Sequence, residues 1–479
     1  MAERQRTKRL EHRFTDFKSV QEFTSPLWTA DNESPFAKNC DVSTPGVLSK
    51  ALGYTQVGSD TGTGAVKGVF VYEKEDGTST LMKVQGSSLY KYASGSWSEV
   101  ASGLSTGTDK VEGVNAFIDD EERLYFTGEH DEPVRYTTGT STTAITSTYA
   151  KHIAYWNYRL YLANFKYGTD SYPYRVQFSP EGSDTLDRDN DYFDDMGAPV
   201  TALKVYGKKL YIFTDDEIAA YDGYSLSRIP GNYGTPSAES VVVARGRMFW
   251  YNRFGFWMYA GAELPTLISK PVRGIVSAIT APGSVSGGIL SDERIVWSVG
   301  DVTYDETSYT NAGLIYDIDN NGWMFRDAQP FGLYTHEKSG GSIVPYAGSD
   351  SGIQVYQIDN GYGNDTSTEI VSEWQTKKFD AGSPQDIKNF YKVRVVFKPT
   401  GNSEYLTVKY RMDGTAAWSQ IGGTNNNVDL SGSDDIDIVE LDLPSQRQCK
   451  WIQFQITHSS AVGGFEIYDI QVEFDMYPH

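Results

Sequence analysis

Arg123-Leu124-Tyr125-Phe126 is a basic residue followed by three strand-forming residues, and the pattern recurs through the middle of the chain. The other copies are Arg159-Leu160-Tyr161-Leu162, Lys209-Leu210-Tyr211-Ile212, Arg247-Met248-Phe249-Trp250 and Arg294-Ile295-Val296-Trp297, with looser versions at Leu81-Met82 and Ile343-Val344. The first apolar residues of successive copies lie 36 to 50 residues apart. Because a four-stranded propeller blade takes about 40 to 50 residues, this spacing predicts one blade per copy.

A tyrosine that closes a short apolar run follows the repeat at a nearly constant distance. It lies 11 to 13 residues after the first apolar residue in five copies, at Tyr92, Tyr136, Tyr221, Tyr259 and Tyr356. A constant offset predicts a hairpin of two short strands, with length variation confined to outer loops. The copy at Leu160 departs from this rule, which predicts an insertion over residues 168–195. In the copy at Ile295 the apolar run Leu314-Ile315-Tyr316 comes late.

The predicted fold class is all-β, a β-propeller of about seven blades followed by a β-sandwich. A small twisted sheet cannot bury both faces alone, so a ring of such sheets is favoured over a sandwich or a solenoid of similar strand content. We assign residues 61–364 to the propeller.

Residues 365–479 show longer alternating strands, as in Trp451-Ile452-Gln453-Phe454-Gln455-Ile456. They predict an antiparallel sandwich of jelly-roll type with a surface loop at residues 422–435. The predicted strands cover 369–379, 391–398, 405–412, 436–443, 451–457 and 465–474.

Length and composition exclude several classes of protein. The chain has 479 residues and a formal charge of −21, enough for two to four domains or one repeat domain with an appendage. No apolar run approaches the ~18 residues of a membrane-spanning helix. Residues 1–10 lack the apolar stretch of a secretory signal, so export by the standard route is not expected.

Cysteine content and net charge exclude further classes of protein and of metal site. Cys40 and Cys449 are the only cysteines, which excludes a disulfide framework and a four-thiolate zinc site. A pI of about 4.7 argues against general affinity for nucleic acid, since phosphate binding depends on clustered basic residues.

The N-terminus has the opposite charge to the rest of the chain. Five basic residues stand against Glu3 and Glu11 in the first fourteen positions: Arg4, Arg6, Lys8, Arg9 and Arg13. Such an arm can dock on an acidic neighbour or can simply be a solvated terminus. We assign residues 1–60 to this arm and an extended docking segment.

The acidic motifs predict no metal site and no cofactor. Asp187, Asp189 and Asp191 are weak calcium candidates, because Tyr192 and Ala198 stand where a calcium loop uses Gly and a bidentate acid. Asp317-Ile318-Asp319-Asn320-Asn321-Gly322 lies between two apolar runs, where Asn-Gly indicates a hairpin turn.

Catalytic motifs are also missing, and the sequence predicts no enzyme. The six histidines are scattered without metal-ligand spacing, and no Gly-x-Ser-x-Gly elbow accompanies them. Asp119-Asp120-Glu121-Glu122 and Asp215-Asp216-Glu217 are interpreted as turns. Four tyrosines in or beside the predicted insertion could contact sugar or protein, or could pack within the loop. They are Tyr167, Tyr172, Tyr174 and Tyr192.

A resemblance to a known family rests on two stretches. Asn39-Cys40-Asp41-Val42-Ser43-Thr44-Pro45-Gly46-Val47-Leu48-Ser49-Lys50-Ala51-Leu52-Gly53-Tyr54 resembles the segment that precedes a β-propeller in virion proteins of tailed bacteriophages. Trp374-Gln375-Thr376-Lys377-Lys378-Phe379-Asp380, followed by Ile387-Lys388-Asn389-Phe390-Tyr391-Lys392-Val393, resembles their appended sandwich. Ala51-Leu52 differs from the Arg-Pro that is usual before Gly-Tyr in this family.

This resemblance implies a tail nozzle or DNA-stabilisation component, built in the host cytoplasm and located in the virion tail. It implies a homo-oligomer, commonly of six copies, that contacts other tail or portal-adaptor proteins while genomic DNA passes without specific binding. An acidic lining would repel phosphates and let DNA pass, which agrees with the charge. The alternative hypothesis is a receptor-binding module for host-surface carbohydrate, and a propeller hydrolase is a third.

Overall fold

The protein is described here from a computed structural model. The structure describes residues 9–59, 62–104, 110–137, 140–143, 145, 148–187, 189–193, 196–304, 307–365, 367–444 and 448–477.

Seven four-stranded antiparallel blades form the propeller, and in each the strand named first below lies innermost. Six blades are separate sheets, and the seventh is continuous with one sheet of the sandwich. Blade one has Val66–Glu73, Ser79–Gln85, Ser88–Ala93 and Ser96–Ser102, and blade two has Glu112–Ile118, Glu121–Gly128, Asp131–Thr137 and Thr140–Thr143. Blade three has Thr148–Trp156, Arg159–Tyr167, Asp170–Phe178 and Tyr192–Phe193, and blade four has Ala202–Tyr206, Lys209–Phe213, Ile218–Tyr221 and Leu226–Ile229.

The remaining three blades follow the same plan. Blade five has Val242–Ala244, Arg247–Asn252, Gly255–Tyr259 and Thr266–Leu267, and blade six has Ser286–Ile289, Ile295–Tyr304, Thr307–Asp317 and Gly322–Arg326. Blade seven has Phe331–Ser339, Ser342–Ser349 and Val355–Ile358, and its outermost strand is Tyr54–Gln56. Tyr54–Gln56 precedes blade one in the chain, so the ring is closed by a strand from the other end of the domain.

The sequence repeat lies on the second strand of every blade, which confirms the predicted propeller. The constant offset of the tyrosines has a simple cause. Leu124 pairs directly with Tyr136, Leu210 with Tyr221 and Met248 with Tyr259 across the hairpin to the third strand. The distance between partners is therefore set by strand and turn length alone.

Blade three corrects one prediction. Residues 168–195 are not an insertion outside the blade, because Asp170–Phe178 is its third strand and Tyr192–Phe193 its fourth. The second and third strands are simply longer here, with nine residues each. In blade six the late apolar run is the end of the third strand, and Asp317 pairs with Gly322 across the predicted turn, where Asn321 has a φ of +50°.

Apolar side chains fill the gaps between successive blades and hold the ring together. Phe70 and Phe126 meet between blades one and two, and Leu81 and Leu333 belong to the cluster that joins blade seven to blade one. Each sheet thus buries its faces against its neighbours, which is how small sheets gain stability in a ring.

The C-terminal domain is a β-sandwich, as predicted. One sheet contains Ile387–Lys398, Asp437–Asp442 and Glu466–Tyr477, and the other contains Thr368–Gln375, Tyr405–Met412 and Ile452–Ser460. These six long strands alternate between the two sheets along the chain, a connectivity of jelly-roll type. Short strands at Ser419–Gln420, Val428–Asp429 and Gln448–Cys449 extend the edges, and Val428 is buried, so residues 422–435 are not wholly a surface loop.

The N-terminal segment is part of both domains, which corrects the predicted division at residue 60. Leu10–Thr15 pairs with Glu466–Tyr477, Ala37–Lys38 with Thr368–Gln375, and Leu48–Lys50 with both Cys40–Asp41 and the last strand. Glu33–Ser34 runs parallel to Ser19–Val20. Gly363–Asn364 then links the sandwich sheet to blade seven. One apolar core continues through blades five to seven, the segment and the sandwich.

Helical structure is minor in the described part of the chain. It comprises the α-helix Arg273–Ser277 and the 3-10 turns Ala238–Ser240, Lys270–Val272, Pro282–Ser284 and Ile421–Gly423. Among the described residues, no helix has the length and apolar character needed to cross a bilayer.

Candidate functional site

Asn39 joins the last strand of blade six to the sandwich. Its side-chain amide donates to the Asp327 carboxylate at 2.6 Å and to the carbonyl of Val371 at 2.9 Å. Its side-chain oxygen accepts the Asp327 N–H at 3.0 Å. Asn39 has a φ of +52°, a conformation that Asn tolerates better than most residues. A single side chain thus ties the two domains together from within the N-terminal segment.

Asp41 forms a buried ion cluster with blade six. Its carboxylate lies 2.8 Å from the Arg294 guanidinium and 3.6 Å from that of Arg326, and all three side chains are at most 7% exposed. Burial works to raise the pKa of Asp41, but the two guanidiniums and the Ser43 N–H outweigh it and hold the pKa below its usual value. The carboxylate is therefore ionised and paired.

Gly53 and Tyr54 complete this region, which we call the clamp and define as Asn39, Asp41, Gly53 and Tyr54. A Cβ on Gly53 would lie 2.1 Å from the carbonyl oxygen of Gly363, so only glycine allows the two backbones to approach this closely. Tyr54 packs edge-on against Phe331 and Tyr356 of blade seven, with ring centroids 5.0 and 4.9 Å apart. The motif that carries the family resemblance is thus the part of the segment that locks the propeller to the sandwich.

The predicted docking residues are partly accounted for. Arg9 contacts Glu473 at 2.5 Å and lies over the ring of Tyr391, while Arg13 lies 3.1 Å from Glu11 and 3.6 Å from Asp469. Both side chains remain more than half exposed. Arg4, Arg6 and Lys8 lie outside the described residues. Docking by this arm stays a prediction, but its last basic residues pair with the chain's own sandwich.

An exposed aromatic surface follows the first strand, and sequence reasoning missed it. The side chain of Trp28 is 76% exposed and that of Phe23 is 63% exposed. Such exposure is unusual, because burial of a large apolar side chain is favourable in free energy. Trp28 lines a pocket of about 480 Å³ together with Leu10, Leu27, Phe379, Phe474 and Met476. Phe23 lies five residues before Trp28 in the same segment, and we use the name aromatic face for Phe23 together with the apolar residues of this pocket. A tryptophan within a Pro- and Ser-rich stretch was the only signal of it in the sequence.

Charged side chains form one rim of the aromatic face. Asp31 lies 3.4 Å from the His12 imidazole and 3.0 Å from the Lys377 ammonium. These two neighbours lower the pKa of Asp31 to about 2, against the opposing effect of burial. The His12 ring in turn stacks on Phe379 at 4.2 Å. The rim is held in place by contacts that span the N-terminal segment and the sandwich.

The acidic candidates act locally. The Asp187 carboxylate accepts hydrogen bonds from the Asp189 N–H and the Asn190 side-chain amide, as in an Asx turn. Within the described residues, which include Asp189 and Asp191, no three His, Cys, Asp or Glu side chains are placed to share a metal ion. Asp119-Asp120 and Asp215-Asp216 lie in the connections between successive strands, as predicted, but Glu121 and Glu122 begin the second strand of blade two.

The tyrosines of blade three are mostly packed. Arg175 lies 4.5 Å from the ring centroid of Tyr172 and 3.6 Å from that of Tyr192, so these two rings enclose a guanidinium. Tyr167 ends the second strand. Tyr174 is 49% exposed. The ordinary packing alternative therefore fits Tyr172 and Tyr192.

Comparisons with known proteins add similarity of shape only. No protein-family model matches the sequence, and no curated protein matches it. Extracellular domains of two hybrid two-component systems of B. thetaiotaomicron are similar at TM-scores of 0.45 and 0.41, with 12% and 13% identity, over 82% and 78% of this chain. The chain spans about half of their length, 54% and 48%. The WD40 domain of Neurospora crassa Pan2 is similar over 64% of this chain and 94% of its own, with 8% identity and a TM-score of 0.38.

Proposed function

We propose that the chain is a structural component of a bacteriophage tail, a subunit of a nozzle or tail-tip ring that helps to form or close the DNA exit channel. The observation that carries the proposal is the clamp. The residues that resemble the phage family are the ones that join the propeller to the sandwich. They fix the relative position of the two domains, which a subunit of a larger assembly requires.

The aromatic face supplies a surface for such assembly. Large exposed apolar patches on a protein surface mark sites of contact with partners. Trp28 and Phe23 lie on the segment that packs against both domains, so a partner bound there would be held in a defined orientation to each. The basic residues upstream would add electrostatic attraction to an acidic partner surface. Other copies of this chain, each with a net charge of −21, would present such a surface.

The test combines virions with the isolated chain. We expect mass spectrometry to find the chain in purified virions and light scattering to find an oligomer, alone or after mixing with the other tail proteins. A double variant, Phe23→Ala with Trp28→Ala, should keep the melting temperature but lose incorporation. Tyr224→Ala, which removes a 97% exposed ring on blade four, is the matched control and should incorporate normally. A strictly monomeric chain that is absent from virions would contradict the proposal.

The carbohydrate-binding alternative is favoured by a groove on the sandwich. Glu369, Tyr405, Asn426 and His458 line a cavity of about 480 Å³, and Tyr405 is 40% exposed. Carboxylates, an amide and a tyrosine ring provide the hydrogen bonds and stacking surface that a sugar requires. On a glycan array the full chain should then bind saturably and Tyr405→Ala should not, whereas Tyr224→Ala should bind like the wild type. A blank array would remove this function.

A further inference from the structure

The central channel of the propeller contains charges of both signs. A cavity of about 480 Å³ is lined by innermost strands from blades one to four and blade seven, and by the turn before blade five. Lys204 stands in the middle of the innermost strand of blade four, and Glu239 in the 3-10 turn that precedes blade five. Half-buried charges in such a cavity lose hydration and need partners.

Two other charged groups in this region have partners in the fold. Glu112 has one carboxylate oxygen 2.7 Å from the His152 Nδ1 atom and accepts the Ile153 N–H with the other, at 3.2 Å. Lys110 donates to the carbonyl of Gly332 at 2.7 Å. These groups are held by the protein itself.

Lys204 and Glu239 differ from them. Across the described residues, neither side chain has a hydrogen bond, and neither has an oppositely charged group within 4.0 Å. Both line the same cavity and their charges interact: Glu239 opposes the effect of burial on the pKa of Lys204, and Lys110 and then Lys204 oppose it on the pKa of Glu239. Burial nevertheless dominates, and it lowers the pKa of Lys204 and raises that of Glu239. An ammonium and a carboxylate thus face a shared space without closing into an ion pair.

We propose that the propeller channel binds a small zwitterion of the amino-acid class, with the ligand's carboxylate on Lys204 and its ammonium on Glu239. Such a molecule supplies a partner to both groups at once. Charge-assisted hydrogen bonds of this kind are among the stronger ones in proteins. A singly charged molecule would satisfy one group and leave the other unpaired.

The neighbours of Lys204 support this orientation. His336 and Lys338, from the innermost strand of blade seven, line the same cavity, and both Lys338 and Lys204 lower the pKa of His336, after burial. This side of the channel is therefore positive. Glu239 also lines a second pocket, whose other charged or titratable side chains are Lys110, Glu112, Glu129, Lys151 and His152. The ligand's carboxylate is expected toward blades four and seven, and its ammonium toward the turn before blade five.

The test uses the full chain and a series of ω-amino acids: glycine, β-alanine, 4-aminobutyrate, 5-aminovalerate and 6-aminohexanoate. Calorimetric titration should show saturable binding with one chain length preferred, because the spacing of Lys204 and Glu239 selects the separation of the ligand's charges. Butyrate and butylammonium should bind at least about tenfold more weakly, since each lacks one charged hydrogen bond. This comparison needs only the wild-type protein. Absence of saturation with every member of the series, or equal binding of the singly charged molecules, would overturn the proposal.

Variants then assign the residues. Lys204→Met and Glu239→Gln should each weaken binding at least about tenfold, by the loss of one charge-assisted bond. Lys208→Met and Glu263→Gln remove exposed charges of the same types away from the channel and should bind like the wild type. The exchange variant Lys204→Glu with Glu239→Lys should recover part of the binding, because a zwitterion can enter in the opposite orientation, although its ammonium then lies near Lys338. Unchanged affinity in both single variants would place the ligand elsewhere and refute the assignment.

Discussion

The clamp and the channel both contain buried or half-buried charged groups, but these groups are paired within the protein only in the clamp. In the clamp, Asp41 has Arg294 at 2.8 Å and Arg326 at 3.6 Å, and the cluster is closed to solvent. In the channel, Lys204 and Glu239 line one cavity without forming an ion pair with each other. A buried charge that is paired within the fold holds the structure, whereas one left without a partner costs stability and is retained where a ligand can pair with it.

The largest effect is expected from breaking the clamp. Arg294→Met leaves Asp41 buried with only the more distant Arg326, and loss of one partner of a buried pair costs about 3 to 5 kcal/mol of unfolding free energy. Urea denaturation measures the change. Arg253→Met is the matched control, because the Arg253–Asp216 pair has a 2.9 Å contact but both side chains are more than half exposed. Arg253→Met should cost at most about 1 kcal/mol of unfolding free energy. Equal losses in the two variants would refute the distinction between the buried and the exposed ion pair.

Close packing in the same region is tested by Gly53→Ala. The added methyl group would meet the Gly363 carbonyl, and overpacking of this kind costs about 1 to 3 kcal/mol. The melting temperature should fall accordingly. At Gly283 a Cβ would have no neighbour closer than 3.7 Å, so Gly283→Ala should change it little. A fall of the same size in both variants would show that loss of glycine, and not the contact with Gly363, is responsible.

Acid should weaken the contacts of the N-terminal segment. Asp31 has its pKa lowered from 3.8 to about 2 in the folded protein, and that of Asp41 is also lowered. A carboxyl group whose pKa is lower in the folded than in the unfolded protein stabilises the fold at every pH above its unfolded-state pKa. This stabilisation is lost as the pH falls through its folded-state pKa. Unfolding free energy should therefore drop between pH 4 and 2, and the drop should be smaller in Asp31→Asn. Identical pH profiles for the two proteins would contradict this account of Asp31.

The smallest effect on stability is expected in the channel. Lys204→Met removes a desolvated charge that has no protein partner, so the unfolding free energy should stay the same or rise by about 1 kcal/mol. Thermal denaturation without ligand measures it. A clear loss of stability would mean that Lys204 has a structural partner, and the contrast with the clamp would fail.

Most of the propeller could be predicted from the sequence because its strands pair mainly with their neighbours in the chain. Leu210 and Tyr221 face each other across one hairpin, so their separation is written directly into the chain. The strands of the sandwich were predicted for the same reason, through alternation along each strand. The clamp was visible only as a resemblance, since nothing near Asn39 or Asp41 indicates partners about 250 to 330 residues away.

The sequence by itself determined the repeated hairpins and the acidic balance of the chain, because each depends on near neighbours or on simple counts. Only the tertiary structure decided that Tyr54–Gln56 closes blade seven and that the N-terminal segment belongs to both domains. It also decided that Lys204 and Glu239 line the same cavity. These outcomes depend on which distant surfaces come together when the ring closes, and a position in one blade does not encode its distance from another.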